Sequence, residues 1–180
     1  EERPATMIRW HMSPVGEAVL DVADEVGALV ELEFPVGSGM AATTPPLSEI
    51  WDNFANMVER FFRLKKNHPS MLTWSIDNEL LIVTNTAPQA FEENQAGILR
   101  AAHLMQKLDP TRLVVSNGGG AIDGSWTNIS LHYPHHWWLY PDLPDSAFWL
   151  QYGRRDIECT EPWPIQIDWD EPKVLHTGED

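Results

Sequence analysis

Two glutamates stand where segments of strand character end. Asn78-Glu79 closes Met71 to Asp77 (MLTWSID), and Glu179 closes the strand candidate Val174 to Thr177 within VLHTGE. Carboxyl groups at the ends of two parallel strands can face each other across a pocket. With one protonated and one ionised, the pair can perform glycoside hydrolysis: the acid donates to the leaving oxygen while the carboxylate attacks the anomeric carbon. A plain reading stays open beside it, because 27 acidic side chains in 180 residues place solvated glutamates near many strand ends. Tryptophan offers a second hint of chemistry. Five of the nine (Trp137, Trp138, Trp149, Trp163 and Trp169) fall between Tyr133 and Lys173, a stretch that also holds Pro134, Pro141, Pro144, Pro162, Pro164 and Pro172. Proline at that density opposes regular structure and predicts a long ordered loop. Its flat aromatic faces suit stacking on sugar rings, with core packing as the competing reading.

The elements that must hold these groups follow from periodicity. Met7 to His11 predicts a short strand, and Ser13-Pro14 is the cap and first-turn signal of a helix over Glu17 to Val26, with Val19, Val22, Ala23 and Val26 at helical spacing and Gly27 at its end. Ala28 to Phe34 is the next strand, followed by a Gly/Pro/Thr loop over Pro35 to Pro46. Ser48 caps a helix whose Ile50, Trp51, Phe54, Met57, Val58, Phe61 and Phe62 form one broad apolar face. It stops near Asn67-His68-Pro69. Strand Met71 to Asp77, helix Pro88 to Leu108 and strands Leu113 to Ser116, Asn128 to His132 and Val174 to Thr177 complete the pattern, with one or two helical turns over Asp145 to Tyr152.

Strands alternating with helices of this length predict parallel βα units. In an open doubly wound sheet, buried on both faces, the strands would be almost uniformly apolar. These are divided. The two-residue period sets Thr73, Ser75, Asp77 and Glu79 against Leu72, Trp74 and Ile76, and Glu31 and Glu33 against Val30, Leu32 and Phe34. Arg9 and His11 likewise oppose Ile8 and Trp10, and Ser130 and His132 oppose Ile129, Leu131 and Tyr133. One apolar face to pack on helices and one polar, converging face predict an α/β fold, a TIM-type (β/α)8 barrel with its chemistry at the strand C-terminal ends.

Composition narrows the partners. A formal charge of −15 with no run of Lys or Arg disfavours nucleic acid. The lone Cys159 excludes an internal disulfide and a multi-cysteine zinc site, and no segment approaches the roughly 18 apolar residues of a membrane span. His11, His132, His135, His136 and His176 could in principle bind a metal, but no His-x-His pair stands on an early strand, so no metal or other cofactor is expected. His68 is expected in a turn and His103 on a helix face, while Asp109 and Arg112 should brace a helix-to-strand turn. Gly118-Gly119-Gly120 lacks the spacing of a nucleotide loop.

The segment NHPSMLTWSIDNE, residues 67–79, resembles the stretch leading to the acid/base glutamate of retaining glycoside hydrolases in the large (β/α)8 clan, most closely glycoside hydrolase family 2. VLDVADEVGALVELE is similar to that family's Asp-Glu-x-Gly helix end before the third strand, LDPTRLVVSN to its Asp-x-Thr-Arg entry to the fifth, and PKVLHTGE to the strand ending in the nucleophile. The matches run in order from about Ile8 to Glu179. The resemblance implies Glu79 as acid/base, Glu179 as nucleophile and Asn78 as a hydrogen-bond partner of the sugar 2-hydroxyl. It implies that His132-Tyr133 lies beside the nucleophile and that Arg9 is the second-strand arginine, with His11 following by two residues where the family pattern has three. Arg9, His11, Trp137 and Trp138 join the substrate-binding set.

The function so implied is a retaining β-glycosidase acting on a carbohydrate substrate. A non-catalytic carbohydrate-binding relative and a metal-dependent barrel hydrolase are the alternatives. A complete barrel takes about 200 residues or more, and aligned by the resemblance the visible strands are the second through seventh. Residues 1–180 are therefore expected to be a partial catalytic barrel from a longer chain that also carries accessory β-sandwich domains. Localisation stays open, a soluble secreted or periplasmic setting fitting better than a cytoplasmic one.

Overall fold

The structure is a computed structural model that describes residues 7–13, 15–37, 46–84, 88–118, 122–123, 125–132 and 174–179, with backbone placement alone for 82, 83, 88, 131, 132 and 174–179. In chain order the elements are β1 (Met7–Trp10), α1 (Glu17–Val26), β2 (Leu29–Glu33), α2 (Ser48–Lys65), β3 (Met71–Asn78), α3 (Leu80–Thr84), α4 (Pro88–Leu108), β4 (Leu113–Asn117), β5 (Asn128–His132) and β6 (Val174–Glu179). Strands β1 to β4 form one sheet in sequential order with every pairing parallel. β5 and β6 form a second parallel ladder. Side chains join the two: Asn128 Nδ2 and Trp126 Nε1 both donate to the Val114 carbonyl, at 2.8 and 2.9 Å. Parallel strands paired in sequence order are the arrangement of the expected (β/α)8 barrel. Among the described residues no helix is long and apolar enough to cross a membrane.

The apolar side of the sheet is filled chiefly by α2. Trp51, Phe54, Val58 and Phe62 recur at helical spacing and are buried, and Phe62 stacks on Trp74 of β3 with centroids 4.1 Å apart. Phe34 meets Phe54 and Phe61 edge to face at 5.5 Å, the geometry that the aromatic quadrupole favours. Helix α4 approaches α2 closely because Gly97 has no side chain. A Cβ there would meet the Trp51 ring at 2.2 Å.

Helix ends differ from the expected caps. Gly16, in extended conformation, is the N-cap of α1, and Leu47 that of α2, neither with a side-chain cap, so Ser13-Pro14 and Ser48 do not serve that purpose. For α2 the orphan Leu47 N–H donates instead to Glu93 Oε2 of α4 at 2.6 Å, which places an anion at the positive end of the helix dipole. Gly27 does end α1, at φ 73°. The face of α1 turned to the sheet centres on Leu20 and Ala23, leaving Val22 56% and Val26 71% exposed.

Two polar clusters brace the N-terminal ends of the strands, opposite the expected catalytic rim. Asp24 accepts from the Ser70 N–H at 2.8 Å and pairs with His68 Nδ1 at 2.7 Å. Asp109 accepts from Trp74 Nε1 at 3.0 Å and Arg112 Nη1 at 2.6 Å, while Arg112 also donates to the Met71 and His68 carbonyls. Burial works against the Asp109 charge, but hydrogen bonds from Thr111, Trp74 and Arg112 hold its carboxyl down at about 2. His68 and the Asp109–Arg112 pair thus have the turn and bracing roles expected of them.

Candidate active site

The polar face of the strands converges on Glu33. Its Oε2 accepts from Arg9 Nη2 at 2.7 Å, Arg9 Nε at 3.2 Å and Asn117 Nδ2 at 2.7 Å, with Ser75 Oγ 3.3 Å away. Its Oε1 accepts from the Met12 N–H at 2.9 Å and lies 3.0 Å from His11 Nδ1. Glu31, equally buried, accepts from Asn117 Nδ2 at 2.7 Å and lies 3.6 Å from Arg9 Nε. Ser130 of β5 donates to Asn117 Oδ1 at 3.0 Å, so the network runs from β1 to β5. Two buried carboxylates are tolerable only with donors on all sides, and one guanidinium plus amide and hydroxyl groups supply them.

Arg9 carries this network to the end of β3. Its Nη2 donates to Asn78 Oδ1 at 2.5 Å. A guanidinium can only donate, so the bond fixes the acceptor end of the Asn78 amide and leaves Nδ2 as its donor end. The main chain here is clamped from both neighbours: Asn78 N–H donates to the Val36 carbonyl and Glu79 N–H to that of Asn117, each at 2.8 Å. Glu79 itself is half-buried and adopts φ 56°, a left-handed conformation uncommon for a residue with a side chain. Gly37 packs against this strand end, where a Cβ would lie 2.9 Å from the Asn78 carbonyl oxygen.

Strict alternation put Asp77 with Ser75 on the polar face and Asn78 opposite. The β3–β4 register shifts between Ser75 and Asn78, and this irregularity turns Asn78 to Arg9 and takes Asp77 to Ser116 and the first turn of α3. Asp77 Oδ1 accepts from Ser116 Oγ at 2.6 Å and Oδ2 from the Leu80 N–H at 3.1 Å. Burial pushes its carboxyl up to about 7, against the two hydrogen bonds that favour ionisation.

Of the expected site residues, the structure brings together Arg9, His11 and Asn78, with Glu79 next along the chain. His11 is 54% exposed in its side chain, at the edge of the group. His132 ends β5 and is the cross-strand partner of Glu179 at the end of β6. Both are placed in backbone only. Tyr133, Trp137, Trp138 and the expected turns over 145–152 lie outside the described residues. Glu31 and Glu33 were legible only as polar-face positions, and neither Asn117 nor the separate course of Asp77 was expected; the polar residues closing LVVSN were the available signal for Asn117. Among the described residues, Asp21, Asp24 and His68 bring three ligand-type atoms within 4.8 Å of one another. They lie at the far end of the strands, and both Asp24 oxygens already serve Ser70 and His68.

This arrangement can hold a hydroxylated ligand against an aimed amide and place a carboxyl group beside it. Residues 9–162 match the family model described as glycosyl hydrolases family 2, TIM barrel domain. The chain belongs to glycosyl hydrolase family 2. The match takes in Arg9, Asn78 and Glu79 and ends before Glu179. Solved structures with the same fold include a Bacteroides uniformis β-glucuronidase 2 covalently bound to cyclophellitol-6-carboxylate aziridine (TM-score 0.56, 23% identity over 73% of this chain). A Dictyoglomus thermophilum β-D-glucuronidase (0.54, 20%, 73%) and an uncultured Clostridium sp. β-glucuronidase (0.54, 20%, 62%) are also similar. This family 2 chain spans 15%, 24% and 19% of those three chains, respectively.

Proposed function

We propose that residues 1–180 form part of the catalytic barrel of a longer polypeptide, a retaining glycosidase that cleaves a β-linked glycoside by double displacement. Glu79 is the acid/base and Glu179 the nucleophile. In the first step a Glu179 oxygen bonds to the anomeric carbon as the glycosidic bond breaks, and the Glu79 proton passes to the leaving oxygen. In the second, water gives its proton to Glu79 and attacks the same carbon, releasing Glu179. Asn78 donates through Nδ2 to the sugar 2-hydroxyl, its orientation held by Arg9 and Glu33. Tyr133 and His132 lie beside the nucleophile, His11 borders the site, and Trp137 and Trp138 supply a sugar platform. Accessory β-sandwich domains belong elsewhere in the parent chain.

The observation that carries this reading is the strand end itself: Asn78 locked in orientation by Arg9, and Glu79 held next to it in a left-handed conformation. Met12 and Ile122 share the positive φ, and it is the pairing of that conformation with the locked amide beside it that supports a working group, since backbone of this kind clusters at active sites. The test is a panel of p-nitrophenyl β-glycosides offered to the full-length polypeptide, with β-glucuronides included because the similar solved structures carry that name. At least one member should be hydrolysed, and Glu179→Ala should abolish it. Failure on every member, or full activity in Glu179→Ala, would overturn the proposal.

A further inference from the structure

Asp77 is a buried titratable group for which none of the roles above has a use. It sits where β3 passes into α3 without an intervening loop, and Glu79 is the one residue between the two elements. A chain that turns so sharply needs its first helical amides satisfied. Asp77 Oδ2 accepts from the Leu80 N–H at 3.1 Å, the bond by which a capping carboxylate starts a helix three residues on. The other oxygen is anchored 2.6 Å from Ser116 Oγ of β4, a length typical of hydroxyl-to-carboxylate bonds. Ser75 Oγ donates to the Asp77 carbonyl at 3.1 Å, fixing its backbone as well. Residue 77 is therefore held at both ends, and Glu79 is bridged between that anchor and its own N–H bond to Asn117.

We propose that Asp77, tied to Ser116 and to the Leu80 amide, is a positioning residue that holds Glu79 in its left-handed conformation and so sets the aim of the acid/base carboxyl. The proposal rests on the acid/base reading of Glu79. Burial raises the Asp77 carboxyl to about 7, so its bonds to Ser116 and the Leu80 amide, rather than its charge, carry the positioning. Glu33 and Arg9 are the charged groups in electrostatic reach, one opposing and one favouring its charge.

Positioning is separable from folding by the leaving group. Protonation of the leaving oxygen matters for a sugar or alkyl leaving group and hardly at all for 2,4-dinitrophenolate. In the full-length polypeptide, Asp77→Ala should lower kcat/KM on an alkyl glycoside by roughly 10- to 100-fold, a fraction of the roughly 100- to 10,000-fold that acid/base catalysis supplies, and on the matching dinitrophenyl glycoside by less than about 3-fold. Asp77→Asn should restore the alkyl glycoside to within about 3-fold of wild type, because an amide oxygen still accepts from Leu80. Ser116→Ala should show the same leaving-group dependence in smaller measure. Equal losses on both substrates, or no loss, would overturn the proposal. Should Asp77→Ala fail to fold, a Ser116→Ala variant with leaving-group-independent kinetics overturns it equally. Glu79→Ala serves as the reference. If it shows no leaving-group dependence, the acid/base reading falls and the positioning role with it; if it does while the Asp77 and Ser116 variants do not, the positioning role alone falls.

Discussion

Replacing Asp77 by Asn should make the protein more stable, and by an amount that grows with pH. Asp77 is buried, and its carboxyl is raised from the ordinary 3.8 to about 7, with desolvation the largest cause. Between those values the folded chain holds a proton that the unfolded chain releases, so the Asp77 contribution to stability is fully present below about pH 4 and is lost as pH rises through 7. The slope is roughly 1.4 kcal/mol per pH unit, which makes the whole loss about 4 kcal/mol. Asn does not titrate and can meet the same two partners, so the difference between variant and wild type isolates this one group. Urea unfolding of both full-length proteins at intervals from pH 5 to 7, followed by tryptophan fluorescence, would read it, since Trp74 stacks on Phe62 in the adjoining core. The Asn advantage should widen by about 2 to 3 kcal/mol over that interval. A constant difference, or one that widens toward acid, would show that Asp77 does not hold a proton in the folded chain across this interval.

Other consequences follow from individual contacts. Gly97→Ala should lower stability by about 1 to 2 kcal/mol, because overpacking against the Trp51 ring exceeds the gain of roughly 1 kcal/mol in helix propensity; a raised melting temperature would show that the helices can part without loss. Asp109→Asn should cost about 2 kcal/mol at neutral pH. The depressed carboxyl contributes above its unfolded value of 3.8 and loses that contribution as pH falls toward 2, so the variant's deficit should shrink between pH 5 and pH 3 in parallel unfolding curves. Trp137→Ala and Trp138→Ala should each raise KM by the equivalent of roughly 0.5 to 1.5 kcal/mol of stacking while the melting temperature holds; unchanged KM with a large drop in melting temperature would make them core residues.

Much of the fold was legible because long periodic segments carry their own evidence. The bounds of α1 and α4 agree with the expectation to the residue, and the apolar face of α2 packs as its spacing implies. What escaped was set by neighbours rather than by local sequence. The irregular register between Ser75 and Asn78 depends on pairing with β4, and it exchanges the faces of Asp77 and Asn78 in a way that a two-residue period cannot express. Helix α3 is too short to show periodicity, and its start is specified by a side chain outside it. For α2, the group that meets the N-terminal amide comes from Glu93, 46 residues away. In the site, Asn78 and Arg9 could be named from sequence, but the convergence of Arg9, Ser75, Asn117 and the Met12 amide on Glu33 needed four strands in register.

The proposed reaction turns on a covalent glycosyl intermediate on Glu179, with Glu79 as its acid/base partner. Once the panel names the sugar, the full-length polypeptide can be incubated with the corresponding 2-deoxy-2-fluoro β-glycoside carrying a dinitrophenyl leaving group, digested, and mapped by peptide mass. One equivalent of fluorosugar should be attached to the peptide containing Glu179. An adduct on any other residue, or a first hydrolysis product of inverted configuration with no adduct, would contradict it.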